Sequence, residues 1–381
     1  MVGAELSSPG KMNGKTVVHL RPFNHQVGGH YTMMQLDERT VCKPLNSTEL
    51  QFYEHVPREL RDFVPQYKGV VKALLTEEDR QAVCHRVYGR SRSICERQAV
   101  EDCNRLVLVG GNSESQQQRV VAGGGDVGNV RYNGTTCNRG GDQRTEHDVI
   151  EGTLFATAGN SLSLRDQNQL NEQRFLMLEN ILTRFRRPCV LDLKVGRRTH
   201  GDDASQVKID SQEGKCRTTT SSSLGIRICG MQVYDASSGT VQRWDKLYGR
   251  KITAETMKGE GLLMFLKPAI DLRLGIISSF IIRLKELITA VEKQLTYRFY
   301  SSSLLLAYDA HRVKTEEYKS SDWNELIDVR VIDFAHTTWT GAHNSLVTYT
   351  GPDEGYLFGL RNITRLLQDI DRDLIGPVAE K

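Results

Sequence analysis

The chain has 381 residues, of which 39% are hydrophobic and 25% are charged, and these fractions are typical of a soluble globular protein. The net charge of only +3 argues against a dedicated nucleic-acid-binding protein, whose basic surface usually shows in the total. The most apolar stretch, residues 262–291, does not fit a transmembrane helix because charged residues interrupt it, among them Lys267, Asp271, Arg273 and Lys285. A chain of this length can form two lobes around one cleft.

The eight cysteines lack the paired spacing of a metal site, and in a chain of this length they indicate buried thiols in a reducing compartment. No secretory signal pattern is visible at the N-terminus. We therefore expect a cytoplasmic or nuclear location, or both, without membrane insertion and without a nucleic-acid partner. The sequence indicates nothing about protein partners.

Residues 1–14 are predicted to form a mobile tail, and residues 15–76 an N-terminal lobe. Runs of apolar residues between turn formers predict four strands in this lobe: 15–23, 30–36, 40–45 and 68–72. Ser47 or Thr48 is expected to cap the helix that follows the third strand and carries Glu49.

Residues 77–171 differ from the rest of the chain because they are rich in Ser, Gln, Asn and Arg. Their glycine-rich patch at 123–128 lacks the Gly-Lys-Ser/Thr ending of a phosphate-binding loop, and no clear strand precedes it. No hydrophobic period persists across the segment. We predict an insertion that is largely loop or disordered.

Residues 172–183 are predicted to form the last strand of the N-terminal lobe and the connection to a C-terminal lobe, 184–381. Asp202 or Asp203 is expected to cap a helix that runs through Lys215, with a metal role for the aspartate pair as the alternative. Further strands are predicted at 226–234, 240–247, 304–308 and 329–334. The last helix has one apolar stripe: Leu357, Leu360, Ile363, Leu367, Ile370 and Leu374.

The stretch from Pro188 to Gly196 combines an apolar run with an acid and a base. Asp192 and Lys194 are two residues apart, so on a strand both side chains point to the same face. Gly196 allows a sharp turn or the close approach of a ligand. A carboxylate beside an ammonium group suits the handling of phosphate groups, and an exposed ion pair on a sheet edge is the alternative.

Asp333 lies at the end of an apolar strand, between Ile332 and Phe334. A carboxylate among apolar neighbours is costly unless something binds it. Mg2+ is a natural partner, because it prefers oxygen ligands and often binds through one or two carboxylates together with phosphates. The alternative is a hairpin aspartate bonded to backbone amides.

Lys208, Gln212 and Lys215 are spaced i, i+4 and i+7, so they share one face of the predicted helix. That face is either a solvated basic surface or a cradle for phosphate groups. The weaker candidates for such a cradle are Arg197, Arg198, His200, Arg250, His336, Ser301, Ser302 and Ser303.

Several ordered motifs together are more specific than any one of them. Residues 188–196 fit the pattern Pro-x-x-x-Asp-x-Lys-x-Gly, and His-Gly-Asp-Asp-Ala-Ser follows at 200–205. The other segments are Pro-Phe-Asn-His-Gln-Val-Gly-Gly-His at 22–30, Val-Cys-Lys-Pro-Leu at 41–45, Ser-Ser-Ser-Leu-Leu at 301–305, Val-Ile-Asp-Phe-Ala-His at 331–336 and Gly-Tyr-Leu-Phe-Gly-Leu at 355–360. Over roughly residues 17–72 and 172–371, the chain resembles the inositol polyphosphate kinase superfamily, and within it the inositol hexakisphosphate kinases.

The resemblance implies an α+β fold of two lobes, similar to protein kinases and ATP-grasp proteins, with antiparallel sheets and a nucleotide cleft between the lobes. It assigns Lys43 to the ATP phosphates, with Glu49 as the ion-pair partner of that lysine. It also assigns the backbone of Glu179 and Ile181, in the connection between the lobes, to the adenine. ATP and Mg2+ are the implied cofactors.

For the reaction itself, the resemblance assigns Asp333 to Mg2+ and Lys194 to the acceptor or the transferred phosphate. Asp192 is assigned either to the ribose hydroxyls of ATP or to the reaction centre, and the sequence does not separate the two. Lys208 and Lys215 match basic positions of the family, and the other residues predicted for the acceptor site are Gln212, Arg250 and His336.

The implied activity is transfer of the ATP γ-phosphate to a phosphate of inositol hexakisphosphate, which forms diphosphoinositol pentakisphosphate. A phosphate acceptor is already ionised at neutral pH and needs no general base. The alternatives are a multikinase acting on ring hydroxyls, for which a base would help, and a catalytically silent inositol-phosphate-binding scaffold. The presence of Lys43, Asp192, Lys194 and Asp333 together argues against the scaffold. A protein kinase is disfavoured because the His-Arg-Asp and Asp-Phe-Gly segments are absent.

Overall fold

The structure, a computed structural model, describes residues 10–12, 15–29, 32–75, 106–110, 152–156, 171–235, 238–270, 276–310 and 325–375. These residues form two lobes, each built around one sheet. The connection between the lobes follows the last strand of the first sheet and leads directly into the central strand of the second.

The sheet of the N-terminal lobe contains β1 (Gly10–Met12), β2 (Lys15–Pro22), β3 (Met34–Asp37), β4 (Thr40–Pro44), β5 (Tyr67–Leu75), β6 (Leu106–Gly110), β7 (Gly152–Ala156) and β8 (Asn171–Glu179). The strands pair in the order β1-β2-β3-β4-β8-β5-β7-β6, and β6 also pairs with β2, so the sheet closes on itself. Every pair is antiparallel except β5 with β7. Helix α1 (Ser47–Glu54) and a 3-10 turn (Arg58–Phe63) connect β4 to β5.

The structure confirms the strands predicted within 30–36 and 40–45, which pair as β3 and β4, and the predicted strand β5. Within the predicted insertion 77–171, β6 and β7 join the main sheet, while most of that segment lies outside the described residues. The predicted tail 1–14 contributes β1 and otherwise also lies outside them. The predicted cap of α1 is wrong by one residue: Asn46, in an extended conformation, accepts the Glu49 N–H at 3.0 Å.

The sheet of the C-terminal lobe is antiparallel, with the order β11-β10-β9-β12-β13. Its strands are β9 (Pro188–Val195), β10 (Ile226–Asp235), β11 (Thr240–Trp244), β12 (Ser303–Asp309) and β13 (Ile327–Ile332). The helices of the lobe are α2 (Gln206–Arg217), α3 (Thr220–Ser223), α4 (Lys246–Gly249), a π-helical segment (Met257–Leu263), α5 (Met264–Ile270), α6 (Ile276–Glu292) and α7 (Glu354–Ile375). The central position of β9 explains its continuous apolar run, since side chains are buried on both faces.

The long helix α7 packs against α6 and the sheet, and its predicted stripe is confirmed for five of the six residues. Leu374 is the exception and is 49% exposed, because the helix continues past the edge of the core there. No helix in the described parts of the chain is long and apolar enough to cross a membrane.

The prediction that Asp202 or Asp203 caps α2 is wrong. The N-cap residue is Ser205, without a side-chain capping bond. Asp202 instead accepts hydrogen bonds from Arg198 at 2.6 Å and from the hydroxyls of Ser345 and Tyr349. These bonds hold the loop before α2 against the loop before α7. They engage both carboxylate oxygens of Asp202.

Candidate active site

The central strand β9 places Asp192 in the cleft between the lobes. Asp192 is 2% exposed, and its Oδ1 has no hydrogen-bond partner among the described residues. Burial, followed by the negative charge of Asp333, raises the pKa of Asp192 to about 6, and Lys194 acts in the opposite direction. Ser303 on β12 also lies close enough to lower the pKa of this carboxyl. The ammonium group of Lys194 donates to the Ser301 carbonyl.

Lys43 on β4 joins the two lobes through its side chain. Its Nζ lies 2.8 Å from Glu49 Oε1 on α1 and 2.6 Å from Asp333 Oδ1 after β13. Burial alone would lower the pKa of Lys43, but the carboxylates of Asp333 and Glu49 outweigh it and raise that pKa. Glu49 Oε1 also accepts the Phe334 N–H at 3.2 Å. The helix of one lobe is thereby tied to the strand end that carries the acid of the other.

Two non-glycine residues beside this cleft have left-handed backbone conformations. Asp333 has a φ of 65° and Ser301 a φ of 58°. Such conformations are uncommon outside glycine and cost energy, so the surrounding contacts must hold them. At Asp333 the turn directs the carboxylate to Lys43, and at Ser301 it exposes the carbonyl that Lys194 contacts.

The acids of the cleft fit a metal ion that arrives with phosphate oxygens. The described residues contain no group of three or more His, Cys, Asp or Glu side chains able to hold a metal by themselves. They do contain Asp192 and Asp333 close enough for one charge to affect the other, and Asp192 Oδ1 is buried without a partner. Mg2+ typically binds through one or two carboxylates, with phosphates and water completing its octahedron. Asp192 and Asp333 therefore fit a nucleotide-bound divalent ion.

The loop after β2 lies directly on the strands of the C-terminal lobe. A Cβ added to Gly28 would lie 1.8 Å from Asp192 Oδ2, and one added to Gly230 on β10 would lie 1.8 Å from the Val27 carbonyl oxygen. Only glycine permits these approaches. Sequence reasoning found the motif at 22–30 but missed this contact, because nothing local shows which strand a loop touches.

The predicted adenine region forms a small apolar cluster apart from the main core. Ile181 packs there with residues of the connection, β9 and β12: Leu182, Phe185, Val190 and Ala307. Val27 and Leu305 lie against this cluster, and Asp192 is directly opposite Leu305 in the β9–β12 register. An apolar wall beside backbone donors and acceptors suits a flat heteroaromatic base.

The structure brings the predicted acceptor residues to one side of α2. Lys208 Nζ lies 3.4 Å from His336 Nε2, and Gln212 Oε1 accepts the Thr199 hydroxyl at 3.3 Å. Burial, followed by the charge of Lys208, lowers the pKa of His336 to about 4, so this imidazole is neutral at pH 7. Lys208 is exposed, and α2 has no buried residue. One face of the helix is thus available to a ligand.

Lys215, at the far end of α2, lies near three further cations. Burial, and then the charges of Arg250, Arg227 and Lys246, lower the pKa of Lys215. Arg250 was predicted, whereas Arg227 on β10 and Lys246 on α4 were missed. The sequence could have predicted Lys246 from its i, i+4 spacing to Arg250, since residues with this spacing share a helix face.

The other weak candidates have structural partners. The Arg197 guanidinium lies 3.9 Å from the centre of the Phe358 ring, and that of Arg198 lies 4.1 Å from the Tyr300 ring. His200 is buried and contacts the Gly201 carbonyl. Ser302 donates its hydroxyl to the Phe299 carbonyl. These contacts stabilise the loops around the cleft.

The fold and this set of side chains define a two-lobed phosphotransferase. The family model for inositol polyphosphate kinase matches residues 175–368. Inositol hexakisphosphate kinase 3 of Mus musculus is 35% identical, with 97% of this chain and 99% of that protein covered. Inositol hexakisphosphate kinase 1 of Rattus norvegicus is 34% identical, with 94% of each chain covered. The chain belongs to the inositol polyphosphate kinase family.

A solved structure shows the same fold. The crystal structure of an inositol phosphate multikinase from S. cerevisiae, in complex with ADP and Mn2+, is similar with a TM-score of 0.51. The two chains are 19% identical, and the match covers 88% of this chain and all of the other. The predicted α+β kinase fold with antiparallel sheets is therefore confirmed.

Proposed function

We propose that the chain is an ATP-dependent inositol hexakisphosphate kinase that forms a diphosphoinositol pentakisphosphate. The observation that carries this proposal is the group of cations at the end of α2. Burial lowers the pKa of Lys215, and the charges of Arg250, Arg227 and Lys246 lower it further, so these three cations lie close enough to repel the charge of Lys215. A polyanion would relieve that repulsion. Relatives named as inositol hexakisphosphate kinases, 33–35% identical over nearly the whole chain, support the same acceptor.

The residues of the cleft would divide the work of phosphoryl transfer, which needs positioning and charge neutralisation more than covalent chemistry. Lys43 would hold the nucleotide phosphates, and in the free protein Asp333 and Glu49 keep it in place. Asp333 and Asp192 would hold Mg2+, which when bound neutralises charge on the phosphates. Lys194 would orient the acceptor phosphate at the cleft end of β9. The backbone of Glu179 and Ile181 would meet the adenine.

A second candidate function is a multikinase that phosphorylates ring hydroxyls. The pKa of about 6 at Asp192 favours it, because a carboxylate poised near the working pH can accept a hydroxyl proton. For a phosphate acceptor no such base is required, and Asp192 would serve the metal or the ribose alone.

The two functions differ in which acceptor is turned over. Purified protein should be given ATP and Mg2+ with inositol hexakisphosphate or with an inositol trisphosphate, and kcat/KM should be measured for each. We expect a higher kcat/KM for the hexakisphosphate, because more phosphates engage the cations of α2, β10 and α4. A preference for the trisphosphate would support the multikinase. Binding of both without turnover would support a silent scaffold.

A further inference from the structure

Arg330 on β13 joins both lobes and the connection between them through one guanidinium group. Its Nε donates to Asp328 Oδ1 at 2.8 Å within its own strand, and its Nη1 donates to the Val64 carbonyl of the N-terminal lobe at 2.9 Å. The same Nη1 lies 3.7 Å from Glu179 Oε2, at the last residue of β8. The arginine side chain is 17% exposed. Asp328 is 7% exposed and Glu179 is 33% exposed, so solvent screens the contact with Asp328 less than the contact with Glu179.

Glu179 is held on two sides at the point where the chain leaves the N-terminal lobe. Its backbone N–H donates to the Gln66 carbonyl at 2.9 Å, and its Oε2 accepts the Gln66 N–H at 3.1 Å. Gln66 is two residues after Val64, so Arg330 and Glu179 fix the same short segment. Arg184 extends the network, because it lies 3.2 Å from Asp328 Oδ2 and donates to the Ile327 carbonyl.

We propose that Arg330 is a positioning residue for the nucleotide: it sets the backbone of residues 179–181 and, with it, the selection of the adenine base. The proposal rests on the proposed function only in that this backbone binds the base. Glu179 carries both the carboxylate near Arg330 and the carbonyl proposed to meet the adenine. Because both groups belong to one residue, a shift of the carboxylate also moves the carbonyl that is proposed to contact the adenine.

The planar guanidinium is what this position requires. Its fork can reach Asp328, Val64 and Glu179 from one side chain, whereas a lysine ammonium is a point charge on a flexible stem. Arg330→Lys keeps the positive charge near the buried carboxylate of Asp328 and so preserves folding better than an apolar replacement, since an unpaired buried charge is strongly destabilising. The substitution removes the simultaneous contacts of the guanidinium with Asp328, Val64 and Glu179.

Arg283 on α6 provides a matched control. It also joins the lobes, because its Nη2 donates to the Asp62 carbonyl at 3.3 Å and its guanidinium lies 4.4 Å from the centre of the Phe63 ring. Its ion-pair partner is Glu286 on the same helix, at 2.6 Å. None of these contacts involves residues 179–181. Arg283→Lys therefore tests the general effect of weakening a contact between the lobes.

The experiment measures the affinity of the full chain for ADP and for GDP in the presence of Mg2+, by calorimetry. Arg330→Lys should raise the Kd for ADP about fivefold or more, because it weakens the hydrogen bonds of the guanidinium to Asp328 and to the Val64 carbonyl. Such charge-assisted hydrogen bonds are among the stronger ones. It should also reduce the preference for ADP over GDP. Arg283→Lys should leave both Kd values within about twofold of the parent. Glu179→Gln should weaken ADP binding in the parent background and add little to Arg330→Lys, since both changes act through one contact.

Equal losses of ADP affinity in Arg330→Lys and Arg283→Lys, or an unchanged ADP preference in Arg330→Lys, would overturn the proposal. If the Arg330→Lys variant does not fold, the Glu179→Gln variant tests the proposal by itself. A preference for ADP over GDP equal to that of the parent would then contradict the role of the contact between Arg330 and Glu179. Direct nucleotide binding does not depend on which acceptor is phosphorylated. If the protein does not phosphorylate inositol hexakisphosphate, the Kd values for ADP and GDP still test the role of Arg330.

Discussion

At the scale of single residues, the cleft is held together by the charges that the reaction would use. Lys43 contacts Asp333 and Glu49 directly, although Asp333 is 290 positions away in the chain. In the free protein the positive charge of the lysine offsets part of the negative charge of the two acids, which lowers the cost of keeping the Glu49 carboxylate buried. Binding of nucleotide and metal would exchange these partners for phosphates and the ion without creating an unpaired charge.

Asp333→Asn should keep the fold and lose metal-dependent turnover. We expect kcat to fall about 100-fold or more, because a metal ion contributes several kcal/mol of charge stabilisation in phosphoryl transfer. The measurement is a titration of initial rate with Mg2+, with thermal unfolding as the check on folding. An unchanged rate with the same Mg2+ dependence would contradict the assignment of Asp333 to the metal.

The double variant Lys208→Ala with Lys215→Ala should raise the KM for the inositol phosphate and leave the KM for ATP almost unchanged. Each lost charge-assisted contact is worth roughly 1.5–3 kcal/mol in favourable cases, so the acceptor effect should reach about tenfold or more per lysine. Steady-state titrations of both substrates at two salt concentrations measure it, and added salt should weaken acceptor binding more in the parent.

The control for the lysine pair is Arg217→Ala on the same helix. Arg217 is exposed and contacts Glu213 one turn earlier at 3.3 Å, so it should have little effect on either substrate. If the double variant raises the KM for ATP and acceptor equally, the loss is structural. If it changes neither, the face of α2 is an ordinary solvated surface.

At the scale of elements, close backbone contacts decide how the helices approach the sheet. A Cβ on Gly359 of α7 would lie 2.3 Å from the Gly225 carbonyl oxygen and 2.7 Å from Val195 Cγ1. The helix therefore touches the start of β10 and the end of β9, next to Gly196, which has a φ of 96°. The glycines of the motifs at 188–196 and 355–360 thus serve a common packing contact.

Gly359→Ala should destabilise the protein although alanine is the better helix former. The added methyl group meets backbone and a buried valine, and such overpacking typically costs about 1–3 kcal/mol. Gly214→Ala in α2 is the control, because its Cβ would have no heavy atom within 4 Å and alanine should add up to about 1 kcal/mol. Chemical denaturation measures both. A Gly359→Ala variant as stable as the parent would contradict the contact.

Sequence patterns predicted the long helix α7 and most strands, and they missed the short strands β6 and β7. The buried residues of α7 follow a 3.6-residue repeat over 22 positions, which no loop imitates. The cap at Asn46 and the partners of Asp202 depend on side-chain geometry and on distant loops, so no local rule distinguishes them from their neighbours. The pairing of Lys43 with Glu49 was implied by the resemblance, whereas the contact of Lys43 with Asp333 follows from the packing of the two lobes.

At the scale of the whole molecule, the N-terminal sheet is completed by strands from the segment predicted as an insertion. β6 and β7 each have five residues, and long polar stretches separate them from the rest of the sheet in sequence. Their apolar runs are too short to stand out against that background. They nevertheless pair with β2 and β5, and Gly110 lies opposite Gly152 where the two strands meet.

Replacing residues 111–151 with an Asn-Gly turn should preserve folding and nucleotide binding. The facing ends of β6 and β7 are in register for a two-residue hairpin, and Asn-Gly favours its turn type. Deletion of 80–165 is the contrasting variant, because it removes both strands and exposes the edges of β2 and β5. Thermal unfolding compares them. Similar stabilities for the two deletions would show that β6 and β7 contribute little.

The proposed reaction of the whole molecule is transfer of phosphate to a phosphate of inositol hexakisphosphate. The most direct measurement is 31P NMR of the product formed by the full chain with ATP, Mg2+ and this acceptor. We expect new, mutually coupled phosphorus signals of a phosphoanhydride, which appear with an equal amount of ADP and are absent in Asp333→Asn. ADP formation without phosphoanhydride signals, or transfer only to the hydroxyls of less phosphorylated inositols, would contradict it.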